Sequence, residues 1–276
     1  MRIFLTGGTG FIGSHFINTA HAAGHEVIAL RRPGSNPPIP LIHEPRWIDG
    51  SLDGDHMVTL RGCDALVHLA AAGVNPSDDN LENLFAVNVF QSLVLWKQAV
   101  DSGIKKLVLC GSCFEYGASG ERYEYIPVTA PLEPTNTYGC SKAAATFAAY
   151  GLCVSQQIKC SLLRPFHVYG EGEAPERFWA SMKAAALSGN DFSMTEGQQI
   201  RDFVPVQEVA ASFLEEMMND DQERGKLKLS NIGTGNPQSL VRFAQYWWKY
   251  WNAQGELLIG SVPYRPNEIM RYVPAV

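Results

Sequence analysis

The chain has 276 residues, of which 46% are hydrophobic and 18% charged, and its net charge is −6. That length allows one large or two modest domains with a substantial core. The acidic balance argues against a general nucleic-acid surface, which needs a basic field, and leaves small anionic ligands to a few local arginines.

The N-terminal apolar run Ile3-Phe4-Leu5 stops at Thr6, short of the roughly 7–15 apolar residues of a secretory leader. Residues 143–154 are the longest other candidate and fall far short of a membrane span. The expectation is a cytoplasmic protein that meets neither membrane nor nucleic acid. Cysteines stand at 63, 110, 113, 140, 153 and 160. Cys110 and Cys113 form a C-x-x-C without the second pair a zinc site wants, and at a strand end rather than a helix start. They read as ordinary thiols, and no metal is expected.

In chain order, Ile3-Phe4-Leu5 predicts a short buried strand. Thr6-Gly7-Gly8-Thr9-Gly10-Phe11-Ile12-Gly13 follows, and the apolar period of Phe11, Ile12, Phe16, Ile17 and Ala20 predicts a helix. A strand, a glycine turn and a helix make a nucleotide phosphate site. Glycine allows positive φ and close backbone approach, and the helix N-terminus offers free N–H groups. The spacing of Gly7, Gly10 and Gly13 is G-x-x-G-x-x-G rather than the commoner G-x-G-x-x-G. His25 to Leu30 predicts a second strand, ended by Arg31 and Arg32. An acid at this place suits the ribose 2′-hydroxyl of NAD, and an arginine the 2′-phosphate of NADP. Arg31 follows Gly13 by 18 residues, and no carboxylate competes for the place in the sequence, so NADP(H) is expected, with NAD as the alternative.

Trp47-Ile48 predicts a third strand, Ala65 to Leu69 a fourth, Lys105 to Leu109 a fifth and Ser161 to Arg164 a sixth. Helices are predicted over about 81–102 and 138–155. This alternation implies an α/β, Rossmann-type, doubly wound parallel sheet. Beyond residue 165 the rhythm breaks. A helix near 175–189 and an amphipathic helix over 239–252 remain, the aromatics of the latter reading as packing. Residues 1–165, joined by parts of 202–232, are expected to form the dinucleotide-binding domain, and 166–276 mainly a smaller substrate domain.

Tyr138 and Lys142 stand at i and i+4, on one helix face. Residues 134–137 supply cap candidates, so Tyr138 should open that helix. The dipole and the ammonium are expected to draw its phenol from about 10 toward neutrality, as suits a general acid. Ser112, just past the fifth strand, would reach the same sheet edge as the glycine turn.

Together these stretches, with Asp64, Val67 to Ala71, Asn88, Tyr116-Gly117, Leu163 to Gly170 and Arg201-Asp202-Phe203-Val204, resemble the extended short-chain dehydrogenase/reductase family of nucleotide-sugar epimerases, dehydratases and reductases. The resemblance implies a catalytic Ser112, Tyr138 and Lys142. It implies a cofactor site of Gly7, Gly10, Phe11, Ile12, Gly13, Arg31, Arg32, Ser51, Leu52, Leu69, Ala70, Ala71, Asn88, Tyr138, Lys142, Pro165, His167 and Val168. It implies substrate contacts from Ser112, Phe114, His167, Arg201 and Arg265, the two arginines taking the pyrophosphate. A homodimer through the helices near 81–102 and 138–155 belongs to the same expectation.

Departures from the pattern discriminate within the family. Cys113 and Phe114 stand where the 4,6-dehydratases carry an Asp-Glu pair, and His167 where asparagine is usual. The segments Gly111 to Gly117 and Pro263 to Glu268 look similar to 4-reductases of nucleotide-linked 4-keto-6-deoxysugars, such as the CDP-abequose and CDP-paratose synthases. The expected activity is NADPH-dependent reduction of such a 4-ketone. An NAD-dependent 4-epimerase is the alternative, and a non-catalytic NADP sensor a third reading.

Overall fold

The computed structural model describes residues 1–74, 80–266 and 268–276. Asn267, part of a segment singled out above, lies outside them. Among the described residues no helix is long and apolar enough to cross a membrane.

The first half alternates as predicted. In order come β1 (Arg2–Thr6), α1 (Phe11–Ala22), β2 (Glu26–Arg31), β3 (Arg46–Asp49), the single turn α2 (Met57–Leu60), β4 (Ala65–His68), α3 (Leu81–Phe85), α4 (Ser92–Asp101), β5 (Lys106–Cys110), α5 (Thr137–Gln156) and β6 (Lys159–Pro165). A π turn, Ala86–Gln91, joins α3 to α4 without a break. Then follow β7 (His167–Tyr169), α6 (Phe178–Ser188), β8 (Phe192–Met194), β9 (Ile200–Arg201), β10 (Phe203–Pro205), α7 (Val206–Met218), β11 (Leu227–Ile232), β12 (Gln238–Ser239), α8 (Leu240–Tyr250), β13 (Leu257–Ile259) and β14 (Arg271–Tyr272).

Seven strands pair in parallel in the order β11-β6-β5-β4-β1-β2-β3. This is a Rossmann-type doubly wound sheet, and its order reverses between β1 and β4, where open α/β sheets bind ligands. The two-residue period of β1 divides the core. Phe4 packs toward Leu95 and Trp96 of α4 and Ala145 and Ala149 of α5. Ile3 and Leu5 pack on the other face, with Phe16 and Ile17 of α1 and Val209 and Phe213 of α7. Helix α7 and the seventh strand, β11, complete this sheet from residues 206–232, where no strand or helix was predicted.

A separate apolar cluster unites α6, α8, β8 and β13 around Trp179, Met182, Met194, Phe243 and Trp248. The α8 aromatics pack as predicted in part. Phe243 stacks on Phe203 with centroids 3.9 Å apart, whereas Tyr246 and Tyr250 are exposed. All six cysteines are free thiols, and no group of three or more His, Cys, Asp or Glu among the described residues is arranged to hold a metal.

Candidate active site

The glycine turn sits at the C-terminal sheet edge, on the switch between β1 and β4. Gly7 has φ +74°, and a Cβ there would come within 2.6 Å of Leu69 C and Ala70 N. The turn thus touches the backbone leaving β4. Ala70 N–H also donates to Thr6 Oγ1 at 3.3 Å. Gly10 is the N-cap of α1 and offers no side chain to its first-turn N–H groups. Gly13 would place a Cβ 2.0 Å from Gly7 O. Turn and helix start form a cradle of bare backbone that suits a dinucleotide pyrophosphate, with Phe11, Ile12 and Ala71 half-buried at its margin. Gly13→Ala is expected to cost about 1–3 kcal/mol through overpacking and to weaken NAD(P)⁺ binding at least about tenfold, or 1.4 kcal/mol. Thermal melts and a tryptophan-fluorescence titration read the two effects.

His68 lies beneath the cradle. Its Nδ1 is 2.9 Å from Thr6 Oγ1 and its Nε2 is 3.0 Å from Ser92 Oγ. Burial, with the Lys142 charge adding, lowers its pKa from 6.5 to about 3. A folded-state value below the unfolded one means the unfolded chain binds the extra proton as pH falls from 6.5 toward 3. Stability therefore declines over that window, by about 2–3 kcal/mol from this group at pH 4.5. Urea denaturation at pH 7.5 and 4.5 should show that drop, reduced by the same amount in His68→Gln.

The parallel register sets Arg31 opposite Asp49. Arg31 Nε donates to Asp49 Oδ1 at 2.8 Å, and its guanidinium lies 4.9 Å over the Trp47 ring. The premise that no carboxylate competes for this place is therefore corrected. Asp49 comes from the neighbouring strand, and its separation of 18 residues concealed it. Arg32 is exposed, and its side chain has no partner among the described residues. Ser51 is exposed past β3, its carbonyl accepting from His56 Nε2 at 2.7 Å. Leu52 packs against the α4 side of the core.

Across the switch, Ser112 caps a short 3-10 turn, Cys113–Glu115, its Oγ accepting from Phe114 N–H at 3.2 Å. Asn136 caps α5 by accepting from Gly139 N–H at 2.7 Å, which puts Tyr138 in the first turn. Ser112 lies close enough to the Tyr138 phenol to favour its ionised form. Lys142 Nζ donates to Cys110 O at 2.6 Å. The phenol is not drawn toward neutrality. Desolvation of its hydroxyl raises it above 10, outweighing the lowering influence of Ser112, while Lys142 is turned to the Cys110 carbonyl. Phe114 meets Tyr138 edge-on, with centroids 6.2 Å apart. Asn88, in the π turn, accepts from Ala72 N–H at 2.8 Å and donates to Ser141 Oγ at 2.9 Å. Ser141 in turn donates to Tyr138 O at 2.8 Å. The loop after β4 is thereby tied to the start of α5.

Pro165 ends β6, and His167 and Val168 open β7. The His167 ring lies edge-on to Phe203 and Tyr272, and its buried Nδ1 has no partner among the described residues. Burial, with Arg201 and Arg177 nearby, holds its pKa well below 6.5. Arg201 Nη2 donates to Ile269 O at 2.6 Å and pairs with Glu268 Oε1 at 3.3 Å. Arg265 is exposed, with no contact to Arg201 among the described residues. The sequence reading passed over Arg177 and Glu173, which pair at 3.4 Å. Burial pushes the Glu173 carboxyl up to about 7 against the pull of Arg177. Their i,i+4 spacing was the one available signal.

A UDP-glucose 4-epimerase of Corynebacterium glutamicum is 23% identical over 267 residues, 89% of this chain and 79% of that protein. Another, of Lacticaseibacillus casei, is 28% identical over 239 residues, covering 78% and 71%. Among solved structures, MoeE5 in complex with UDP-glucose and NAD matches with a TM-score of 0.84 and 25% identity over 100% of this chain and 90% of that one. The family model described as "NAD dependent epimerase/dehydratase family" matches residues 3–233. That span runs from β1 to the end of β11 and takes in every part of the glycine cradle and the Ser112–Tyr138–Lys142 group, and so the chain belongs to the NAD dependent epimerase/dehydratase family.

Proposed function

We propose that the chain reduces the 4-keto group of a nucleotide-activated deoxysugar with NADPH, through Ser112, Tyr138 and Lys142. The observation that carries this reading is the placement of Ser112, at the end of β5, beside the Tyr138 phenol in the first turn of α5, with Lys142 one turn further on. A dinucleotide whose pyrophosphate lies in the glycine cradle would supply hydride from its nicotinamide. Tyr138, kept protonated by its surroundings, donates the proton to the ketone oxygen, and Ser112 polarises that oxygen. Lys142 holds the cofactor ribose, and Arg201 and Arg265 hold the substrate pyrophosphate. Residues 1–165 with 202–232 serve the cofactor, and the remainder of 166–276 serves the sugar. A homodimer through the helical stretches near 81–102 and 138–155 belongs to the proposal, supported by exposed Phe90, Phe147 and Tyr150 on them. Dehydration lacks support. Burial pushes the Cys113 thiol up to about 12, and Phe114 has no acid, so neither can help expel water.

An NAD-dependent 4-epimerase is the second reading. Asp49 at the end of β3 favours it, because a carboxylate there can accept the ribose 2′-hydroxyl of NAD, and the two relatives described above are UDP-glucose 4-epimerases. Absorbance at 340 nm separates the two. With NADPH and UDP-4-keto-6-deoxyglucose, stoichiometric loss of absorbance is expected. No net change, with UDP-glucose converted to UDP-galactose in the presence of NAD⁺, would establish the epimerase instead. Arg31→Asp is expected to abolish any preference for NADP⁺ over NAD⁺ in fluorescence titrations.

A further inference from the structure

Glu115 is a carboxylate inside the protein, with no exposed surface. It belongs to the 3-10 turn that Ser112 caps, and both of its oxygens are occupied. Oε1 accepts from Ser112 N–H at 2.8 Å. Oε2 accepts from Thr146 Oγ1 at 2.7 Å and from Arg164 Nε at 2.9 Å. The surroundings are fitted to this side chain, since a Cβ on Gly111 would lie 2.7 Å from Glu115 Oε1 and 2.5 Å from Leu162 Cδ2.

These three contacts join three elements that the reaction needs in register. Ser112 N–H fixes the backbone behind the serine hydroxyl at the end of β5. Thr146 lies on α5 one helical turn past Lys142, which itself lies one turn past Tyr138, so all three share a face. Arg164 belongs to β6, which pairs with β5. The arginine continues the chain of bonds. Its Nη1 donates to Tyr116 Oη at 3.0 Å, and the Tyr116 hydroxyl donates to Asn231 Oδ1 at 2.6 Å. Asn231 Nδ2 then donates to Ile126 O at 2.9 Å and Ala275 O at 3.2 Å.

We propose that Glu115 is a positioning residue: by holding Ser112 N–H with one oxygen and the Thr146 hydroxyl with the other, it sets the distance between the Ser112 hydroxyl and the Tyr138 phenol. The proposal rests on the catalytic reading of Ser112 and Tyr138 given above. A hydroxyl pair that acts on one oxygen tolerates little displacement, because an error of about 1 Å can cost about 100-fold in rate. A charged anchor suits the task, as its hydrogen bonds are shorter and stronger than neutral ones.

The cleanest test cuts the link at Thr146, which carries no charge and meets the Ser112 turn through the Glu115 carboxylate. Thr146→Val removes the donor and keeps the shape, and Thr146→Ser restores the donor. With NADPH and UDP-4-keto-6-deoxyglucose, Thr146→Val is expected to lower kcat by about tenfold or more, with KM and the cofactor Kd within twofold, and Thr146→Ser to recover kcat. A kcat within twofold of wild type in Thr146→Val overturns the proposal. So does a loss that Thr146→Ser does not repair, or one matched by lost cofactor affinity. A second measurement needs no substrate. Hydrogen exchange in peptides covering 110–117 should speed up in Thr146→Val while β1 and β4 keep their protection, and unchanged exchange there overturns the proposal independently. If wild type shows no turnover but exchange responds, the reductase reading fails and the positioning role stands.

Discussion

Tyr138→Phe should lower ketone reduction by about 10²–10⁴-fold, the contribution of one well-placed proton donor, while cofactor affinity stays close to wild type. The change removes one oxygen. The ring keeps its edge-on contact with Phe114 at 6.2 Å, the Asn136 cap on Gly139 N–H is untouched, and Lys142 remains bound to Cys110 O without help from the phenol. A loss confined to kcat therefore reports the missing proton rather than a disturbed site. The raised phenol pKa adds a directional consequence. Reduction needs the protonated phenol, which burial preserves through the neutral range. Alcohol oxidation needs the phenolate, so its rate should climb across pH 7–10 while reduction stays flat. Absorbance at 340 nm against pH measures this, as NADPH lost in the reductive direction and NADPH formed from NADP⁺ in the oxidative one. A Tyr138→Phe enzyme with wild-type turnover removes the assignment altogether.

The parts of this site that the sequence displayed are those built from local chemistry. Gly7 and Gly13 betray a bare-backbone turn because a Cβ at either would strike backbone atoms, and Tyr138 and Lys142 betray a helix face by spacing alone. The parts it concealed depend on register between distant segments. Asp49 reaches Arg31 only because β2 and β3 pair in parallel. Strand β11 reads Leu227-Lys228-Leu229-Ser230-Asn231-Ile232 and is mostly half-exposed at the sheet edge, so it lacks the apolar run that announced the inner strands. The phenol of Tyr138 was misjudged for a related reason. Helix position argued for a lowered pKa, but burial of the hydroxyl prevails, and the electrostatic influence of Cys110 and Cys113, from β5 and the turn after it, acts in the same upward direction. Glu115 gave no signal, since a glutamate three residues after a serine is the ordinary capping-box pattern. Only the fold shows that its carboxylate lies in the core beside Arg164.

That burial sets up the largest stability effect expected in the molecule. Arg164→Met should cost about 3–5 kcal/mol, the usual penalty for leaving a buried charge without its partner, and lower the melting temperature by about 10 °C at roughly 2–4 °C per kcal/mol. The Arg164 side chain is 1% exposed and that of Glu115 0%, so water cannot replace the lost ion pair. The bonds from Ser112 N–H and the Thr146 hydroxyl keep the carboxylate in the interior once the arginine is gone. Surface pairs supply the contrast. Lys97–Asp101 joins two well-exposed side chains on α4, and Lys97→Met should change stability by no more than about 0.5 kcal/mol. Pairing Arg164→Met with Glu115→Gln separates charge from packing. If the uncompensated charge dominates, the double variant should be more stable than Arg164→Met alone, because the neutral amide retains an acceptor for Ser112 N–H without an isolated anion. Equal stability of the two variants would instead assign the loss to the guanidinium's packing against Tyr116, over whose ring it lies at 4.8 Å.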